Sequence, residues 1–101
     1  MPDNIKTEST VSDRVTELLD AMTLAEKIGQ LSLSPAVDQN DRPELINAVT
    51  RGRVGGVLNE VNPDTVRELQ RVAVEESRLG VPLLFGRDVV HGFRTIFPIP
   101  L

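Results

Sequence analysis

The fold is determined by residues 54–89, which read VGGVLNEVNPDTVRELQRVAVEESRLGVPLLFGRDV. This segment begins and ends with short runs of consecutive apolar residues, which are typical of strands buried on both faces of a parallel sheet. Between the runs, Asn62-Pro63-Asp64 is a helix-start signal, with an N-cap, a proline at the first helical position and an acid in the first turn. The segment therefore predicts a right-handed βαβ crossover with parallel strands.

The helix of this unit is predicted to end at Gly80, with Pro82 just beyond it. Gly55 and Gly56, in the first predicted strand (54–58), are expected where other backbone comes close. Together with Gly52 they do not form a phosphate-binding loop, because this cluster lacks the G-x-G-x-x-G spacing, does not follow the strand and has no helix N-terminus aimed at it. The inward apolar stripe of the helix consists of Val66, Leu69, Val72 and Ala73.

Two short helices joined at a kink are predicted before this unit. Ser12 is a good N-cap for the first helix, whose apolar residues recur with helical spacing. Thr23 and Glu26 form a T-x-x-E capping box that begins the second helix. The two apolar stripes consist of Val15, Leu18, Leu19 and Met22, and of Leu24, Ile28 and Leu31.

The remaining segments complete the predicted order of helix, helix, helix, strand, helix, strand. Residues 1–11 are polar and predict a disordered N-terminal arm. Residues 32–42 contain Pro35 and predict a mobile loop. A third helix is predicted from about residue 43 to residue 50.

Two parallel strands do not complete a sheet, because each needs neighbours for its backbone hydrogen bonds and helices on both faces. The chain also ends on an apolar tail, IFPIPL at residues 96–101, with nothing after it to cover it. These features predict that residues 12–101 are the opening portion of a larger α/β protein, and hence a truncated fragment.

The composition limits the classes of function. The chain has 101 residues, of which 40% are hydrophobic and 26% charged, which fits one small globular domain. It has no cysteine, which excludes disulfide scaffolds, thiolate metal sites and cysteine nucleophiles. A net charge of −4 without a basic cluster argues against nucleic acid and membrane surfaces as partners. Residues 1–8 lack the apolar core of a signal peptide, so a cytoplasmic location is expected.

Asp88 is the candidate site residue. It follows the second predicted strand, and ligands of parallel α/β proteins bind at the carboxyl edge of the sheet. A carboxylate at this edge accepts hydrogen bonds from sugar hydroxyls or holds a cation. The alternative is a structural carboxylate that pairs with Arg87 or Arg94 or that caps the next turn, and position alone does not separate the two roles.

His91 is the only histidine of the chain. Without a second histidine or an adjacent serine or cysteine, it forms neither a metal site nor a catalytic triad within this chain. Its position three residues after Asp88 favours a structural role in which it orients the loop, and Gly92 permits a tight turn there. The residues alone thus predict a soluble α/β fragment with one candidate carboxylate.

Three stretches of the chain resemble glycoside hydrolase family 3, in particular its bacterial β-glucosidases. They are RVTELLDAMTLAEKIGQL (14–31), VGGVLN (54–59) and LGVPLLFGRDVVHG (79–92), the last continuing through RTIFPIPL (94–101). The M-T-L-x-E-K-I-G-Q-L and D-V-x-H-G motifs are specific, and the similarity spans residues 12–101.

The resemblance implies a retaining β-glucosidase that removes terminal non-reducing β-D-glucosyl residues from β-glucosides or oligosaccharides in carbohydrate catabolism. It also implies a TIM-like (β/α)8 barrel, which needs about 250 residues. This chain would be its opening portion, truncated after about two strands. The nucleophile and the acid/base of the family would lie beyond Leu101, so the chain is expected to hold no catalytic residue and to be inactive alone. No metal or organic cofactor is implied.

The resemblance also gives Asp88 a role, because the matching family aspartate hydrogen-bonds hydroxyls of the terminal sugar. Asp88 is therefore expected to bind substrate, with His91 and Gly92 shaping the loop beside it. The alternatives are a β-xylosidase or an exo-glucan hydrolase of the same family, or a non-catalytic α/β interaction module.

Overall fold

The structure, a computed structural model, describes residues 10–89. These residues form four helices and three short strands. The predictions for His91, Gly92, the apolar tail and residues 1–9 lie outside the described residues. The helices are α1 (Val11–Ala21), α2 (Leu24–Gln30), α3 (Arg42–Thr50) and α4 (Pro63–Glu75), and the strands are β1 (Leu33–Pro35), β2 (Gly56–Leu58) and β3 (Leu84–Gly86).

Both N-terminal helices begin at capping boxes. The side chain of Thr10 accepts a hydrogen bond from the Asp13 N–H at 3.2 Å, so the N-cap of α1 is Thr10 and not Ser12 as predicted. The capping box predicted for α2 is confirmed. The Thr23 N–H donates to Glu26 Oε1 at 2.9 Å, and the Glu26 N–H donates to Thr23 Oγ1 at 3.1 Å.

The sheet has three strands, where about two were predicted. Its order is β1-β2-β3, and both pairs are parallel. Strand β1 lies in the segment predicted to be a loop. It has only three residues, and Leu33 and Pro35 are exposed, so it lacks the apolar run of a buried strand. A proline is tolerated there because β1 is an edge strand of the described sheet.

Helix α3 connects β1 to β2, and α4 connects β2 to β3. The parallel βαβ unit predicted for residues 54–89 is therefore confirmed in β2-α4-β3. The predicted end of the helix is wrong, because α4 ends at Glu75. Beyond it, Ser77 Oγ donates to the Ala73 carbonyl oxygen at 2.5 Å and accepts from the Gly80 N–H at 3.2 Å. These bonds form a turn that ends at Gly80, whose φ is 65°.

The core lies between one face of the sheet and helices α3 and α4. Val57, at the centre of β2, is fully buried. Gln70 links α4 to Leu83, the residue just before β3. Its Oε1 accepts from the Leu83 N–H at 2.7 Å, and its Nε2 donates to the Leu83 carbonyl at 3.1 Å. The other buried apolar side chains are Leu45, Val49, Leu69, Val72, Ala73 and Leu83.

The opposite face of the sheet is apolar and open in the described part of the chain. Leu33, Gly56 and Leu84 lie side by side in the parallel register. Leu33 is 67% exposed and Leu84 is 78% exposed. A Cβ on Gly56 would come within 2.7 Å of Leu33 Cδ2, so glycine leaves room there for the neighbouring leucine.

Helix α2 packs through glycine against the turn that leads into β2. A Cβ on Gly29 would overlap the carbonyl oxygen of Gly52, and one on Gly55 would come within 2.6 Å of the Gln30 carbonyl oxygen. The prediction that Gly55 and Gly56 lie where other chain segments come close is confirmed. This contact places α2 at the amino end of the sheet.

Candidate functional site

The carboxyl ends of the three strands lie at one edge of the sheet, because all three strands are parallel. Asn59 follows β2 directly, and Asp88 lies two residues beyond the end of β3. The structure therefore places Asp88 at the edge where ligands of parallel α/β proteins bind. Its side chain lies on the surface of the described residues.

Asn59 joins the ends of β2 and β3 through two hydrogen bonds. Its N–H donates to the Gly86 carbonyl at 2.8 Å, and its Oδ1 accepts from the Asp88 N–H at 2.8 Å. Its φ of 68° makes it the one non-glycine residue with a positive φ among residues 10–89. Asparagine adopts this left-handed conformation more readily than most residues.

Sequence reasoning missed Asn59. The available signal was an asparagine placed directly after a buried strand, where a residue that tolerates positive φ can turn the chain sharply. The partner of its side chain lies 29 residues further on. No local pattern predicts that pairing.

The rest of the β2–α4 loop is held by the side chains of Glu60 and Asn62. Glu60 Oε2 accepts from the N–H groups of Val61 and Asn62, both at 3.1 Å. Asn62 Oδ1 then accepts from the Asp64 N–H at 2.9 Å, which confirms the predicted N-cap of α4. Arg87 Nη1 reaches the Glu60 carbonyl at 3.5 Å from the β3 side. The segment from Asn59 to the helix cap is thus held by successive hydrogen bonds.

Asp38 is the acidic residue that follows β1 at the same edge. Its Oδ1 accepts from the N–H groups of Asn40 and Asp41 at 3.0 and 3.1 Å. This is an Asx turn, so one carboxylate oxygen already stabilises its own loop. The loop is anchored to the sheet by the Ala36 N–H, which donates to the Leu58 carbonyl at 2.9 Å.

An ion pair between Arg78 and Glu26 lies at the opposite, amino end of the sheet. Arg78 donates from Nη2 to Glu26 Oε1 at 2.5 Å and from Nε to Oε2 at 3.1 Å, and Nη2 also reaches the Ala21 carbonyl at 2.7 Å. The Arg78 guanidinium, assisted by the Thr23 N–H, lowers the pKa of Glu26 from 4.5 to about 2. Structural ion pairs perturb pKa values as active sites do, and this pair joins α2 to the segment before β3.

A cavity of about 20 Å³ adjoins this pair and is lined by residues that include Met22, Val49 and Leu83. That volume holds about one water molecule, so it does not admit a sugar. Among residues 10–89, no group of three or more His, Cys, Asp or Glu side chains is arranged to hold a metal ion. None of the described helices combines the length and the apolar character that a membrane span requires.

Comparisons with known proteins relate the chain to carbohydrate-active enzymes. The family model of the glycosyl hydrolase family 3 N-terminal domain matches residues 23–101. A periplasmic beta-glucosidase of Salmonella typhimurium (strain LT2) is 44% identical over 87 residues, which are 86% of this chain and 11% of that protein. The chain therefore spans about a tenth of the length of this relative.

The comparison contradicts the predicted cytoplasmic location, because this relative is a periplasmic protein. The prediction rested on the polar character of residues 1–8. The absence of an apolar core in that short stretch does not determine the compartment.

Proposed function

The chain belongs to glycoside hydrolase family 3, and on that premise we propose that it forms the sugar-binding opening portion of a retaining β-glucosidase. The complete enzyme would remove terminal non-reducing β-D-glucosyl residues from β-glucosides or oligosaccharides. The 44% identity to a periplasmic beta-glucosidase supports both this activity and a periplasmic location.

A TIM-like barrel is the architecture we propose for the complete domain. Three parallel strands in chain order, with α3 and α4 packed over one face, are consistent with the first portion of such a barrel. The open face with Leu33 and Leu84 supports the same proposal, since the interior of a barrel is filled by bulky side chains from all its strands.

The observation that carries the proposal is the position of Asp88 beyond the carboxyl end of β3, beside the end of β2. Active sites of barrel enzymes lie at this end of the strands. An ionised carboxylate accepts strong hydrogen bonds, and two adjacent sugar hydroxyls match its two oxygens. Asp88 would hold the terminal glucosyl residue, with His91 and Gly92 shaping the loop that follows.

The reaction itself would use two other carboxyl groups, which we place beyond Leu101. One carboxylate attacks the anomeric carbon, an acid protonates the leaving oxygen, and water then releases the sugar from the covalent intermediate. Asp88 would contribute by orienting the glucosyl ring, because binding energy at a distance from the reacting bond positions the reacting centre.

The test is Asp88→Asn in a full-length family 3 polypeptide that carries this sequence. Each lost hydrogen bond to a charged group costs about 1.5–3 kcal/mol. We therefore expect kcat/KM for an aryl β-glucoside to fall by about 100-fold, with little change in Tm. The matched control is Asp20→Asn, which makes the same change on exposed α1 and should leave kcat/KM unaltered. An unchanged kcat/KM in Asp88→Asn would return Asp88 to a structural role.

A further inference from the structure

We propose that Asn59 is the positioning residue for Asp88, and this rests on the substrate-binding role proposed for Asp88 above. The carboxamide of Asn59 would set the orientation of the backbone at residue 88. It would thereby set the direction in which the carboxylate meets the sugar.

The conformation of Asn59 is the first support. Left-handed conformations of non-glycine residues cluster at functional sites, where the surrounding structure holds them. A left-handed asparagine often hydrogen-bonds its own neighbouring backbone. Here Oδ1 instead accepts from the N–H of Asp88, which lies 29 residues away in the chain and just beyond the end of the next strand.

The second support is that Asn59 is itself held in place on both sides. Its N–H is bound to the Gly86 carbonyl at 2.8 Å, which continues the pairing of β2 with β3 by one residue. On its other side, the Glu60 carboxylate accepts hydrogen bonds from the N–H groups of Val61 and Asn62. The backbone that carries the carboxamide is thus held at the edge of the sheet.

The third support is the location of Asp88 beyond β3. The strand ends at Gly86, so the sheet does not order residue 88 by strand pairing. The hydrogen bond that the Asp88 N–H donates to Asn59 Oδ1 extends the order of the sheet to this residue. Small displacements of a group that holds substrate lower reaction rates strongly. A fixed backbone at residue 88 would therefore raise kcat/KM.

The experiment is a double-mutant cycle in a full-length family 3 polypeptide that carries this sequence. Asn59→Gly removes the carboxamide but keeps the left-handed conformation accessible. We expect it to lower kcat/KM for an aryl β-glucoside by about 10-fold, with a small change in Tm. In an Asp88→Ala background, the same change should cost less than about 2-fold, because no carboxylate remains to be positioned. Asn40→Gly, in the turn after β1, is the matched control and should leave kcat/KM unchanged.

Hydrogen exchange at the amide of residue 88 reports the bond itself. It should accelerate in Asn59→Gly and stay slow in Asn59→Asp, which keeps an acceptor oxygen at the same position. Equal kinetic costs of Asn59→Gly in both backgrounds, or unaltered exchange, would overturn the positioning role. A large loss in Asp88→Ala without any loss in Asn59→Gly would overturn that role alone. No loss in Asp88→Ala would overturn the proposed function, and the positioning role with it.

Discussion

Glu26 takes part in two local structures through one carboxylate. It completes the capping box of α2 with Thr23, and it binds Arg78, which is 52 residues away in the chain. Arg78 also donates to the Ala21 carbonyl at the end of α1. Helix α1 has no buried residue in the described structure. The Arg78 contacts therefore help to hold α1 and α2 to the segment between α4 and β3.

The Glu26–Arg78 pair predicts a pH dependence of stability. Since the pKa of Glu26 is lowered from 4.5 to about 2 in the folded chain, folding favours the ionised form. The contribution of the Glu26 carboxylate to the free energy of unfolding is present above pH 4.5 and is lost as the pH falls towards 2. The unfolding free energy of the unchanged chain should therefore fall between pH 5 and pH 3. We expect a smaller fall in Arg78→Met, with both measured by urea unfolding. Arg67→Gln removes a pair whose side chains are both largely exposed, and should alter that decrease little.

At the scale of elements, the short strands are aligned by contacts at their amino ends. Gly29 and Gly55 allow the backbones of α2 and of the segment before β2 to touch. The Gly55 N–H donates to the Ser32 carbonyl at 3.0 Å, just before β1 begins. These backbone contacts hold α2 against the sheet although most of its side chains are exposed.

The packing of α2 predicts the effect of Gly29→Ala. Alanine favours a helix over glycine by about 1 kcal/mol, so an isolated helix would gain stability. Here the new Cβ would overlap the backbone of Gly52, and overpacking of this kind costs about 1–3 kcal/mol. We expect a net decrease in the unfolding free energy, measured by urea unfolding. Lys27→Ala, on the exposed side of α2, should change it by less than about 0.5 kcal/mol. A more stable Gly29→Ala variant would show that the close contact is absent.

At the scale of the whole molecule, the sheet is covered by α3 and α4 on one face and is open on the other within residues 10–89. Val57 is fully buried on the helix side, whereas Leu33 and Leu84 are mostly exposed on the opposite side. Parallel sheets are normally covered on both faces. This asymmetry favours a larger domain, in which further strands would cover the leucines.

The proposed architecture predicts that the 101-residue polypeptide alone does not hydrolyse aryl β-glucosides. The two carboxyl groups of the reaction would belong to the part of the enzyme that this chain does not span. The measurement compares release of the aryl alcohol by the purified polypeptide with release by a full-length family 3 enzyme carrying the same sequence. Turnover by the short polypeptide, purified from a host lacking β-glucosidase, would contradict the placement of these groups beyond Leu101.

The amino-acid sequence by itself determined the features that depend on neighbouring residues. The Thr23–Glu26 capping box, the Asn62 cap and the order of β2, α4 and β3 follow from local hydrogen bonding and from the periodicity of apolar residues. The family membership also followed from contiguous motifs. Asp88 could be located near the end of a strand because a run of apolar residues precedes it.

Only the tertiary structure decided the features that join distant parts of the chain. Strand β1 is defined by its pairing with β2, because its own exposed residues carry no clear strand pattern. The bond from Asp88 to Asn59 and the pair of Glu26 with Arg78 span 29 and 52 residues. Such contacts form when folding brings separate strands and helices together, so their residues show no periodicity or spacing that a sequence pattern could reveal.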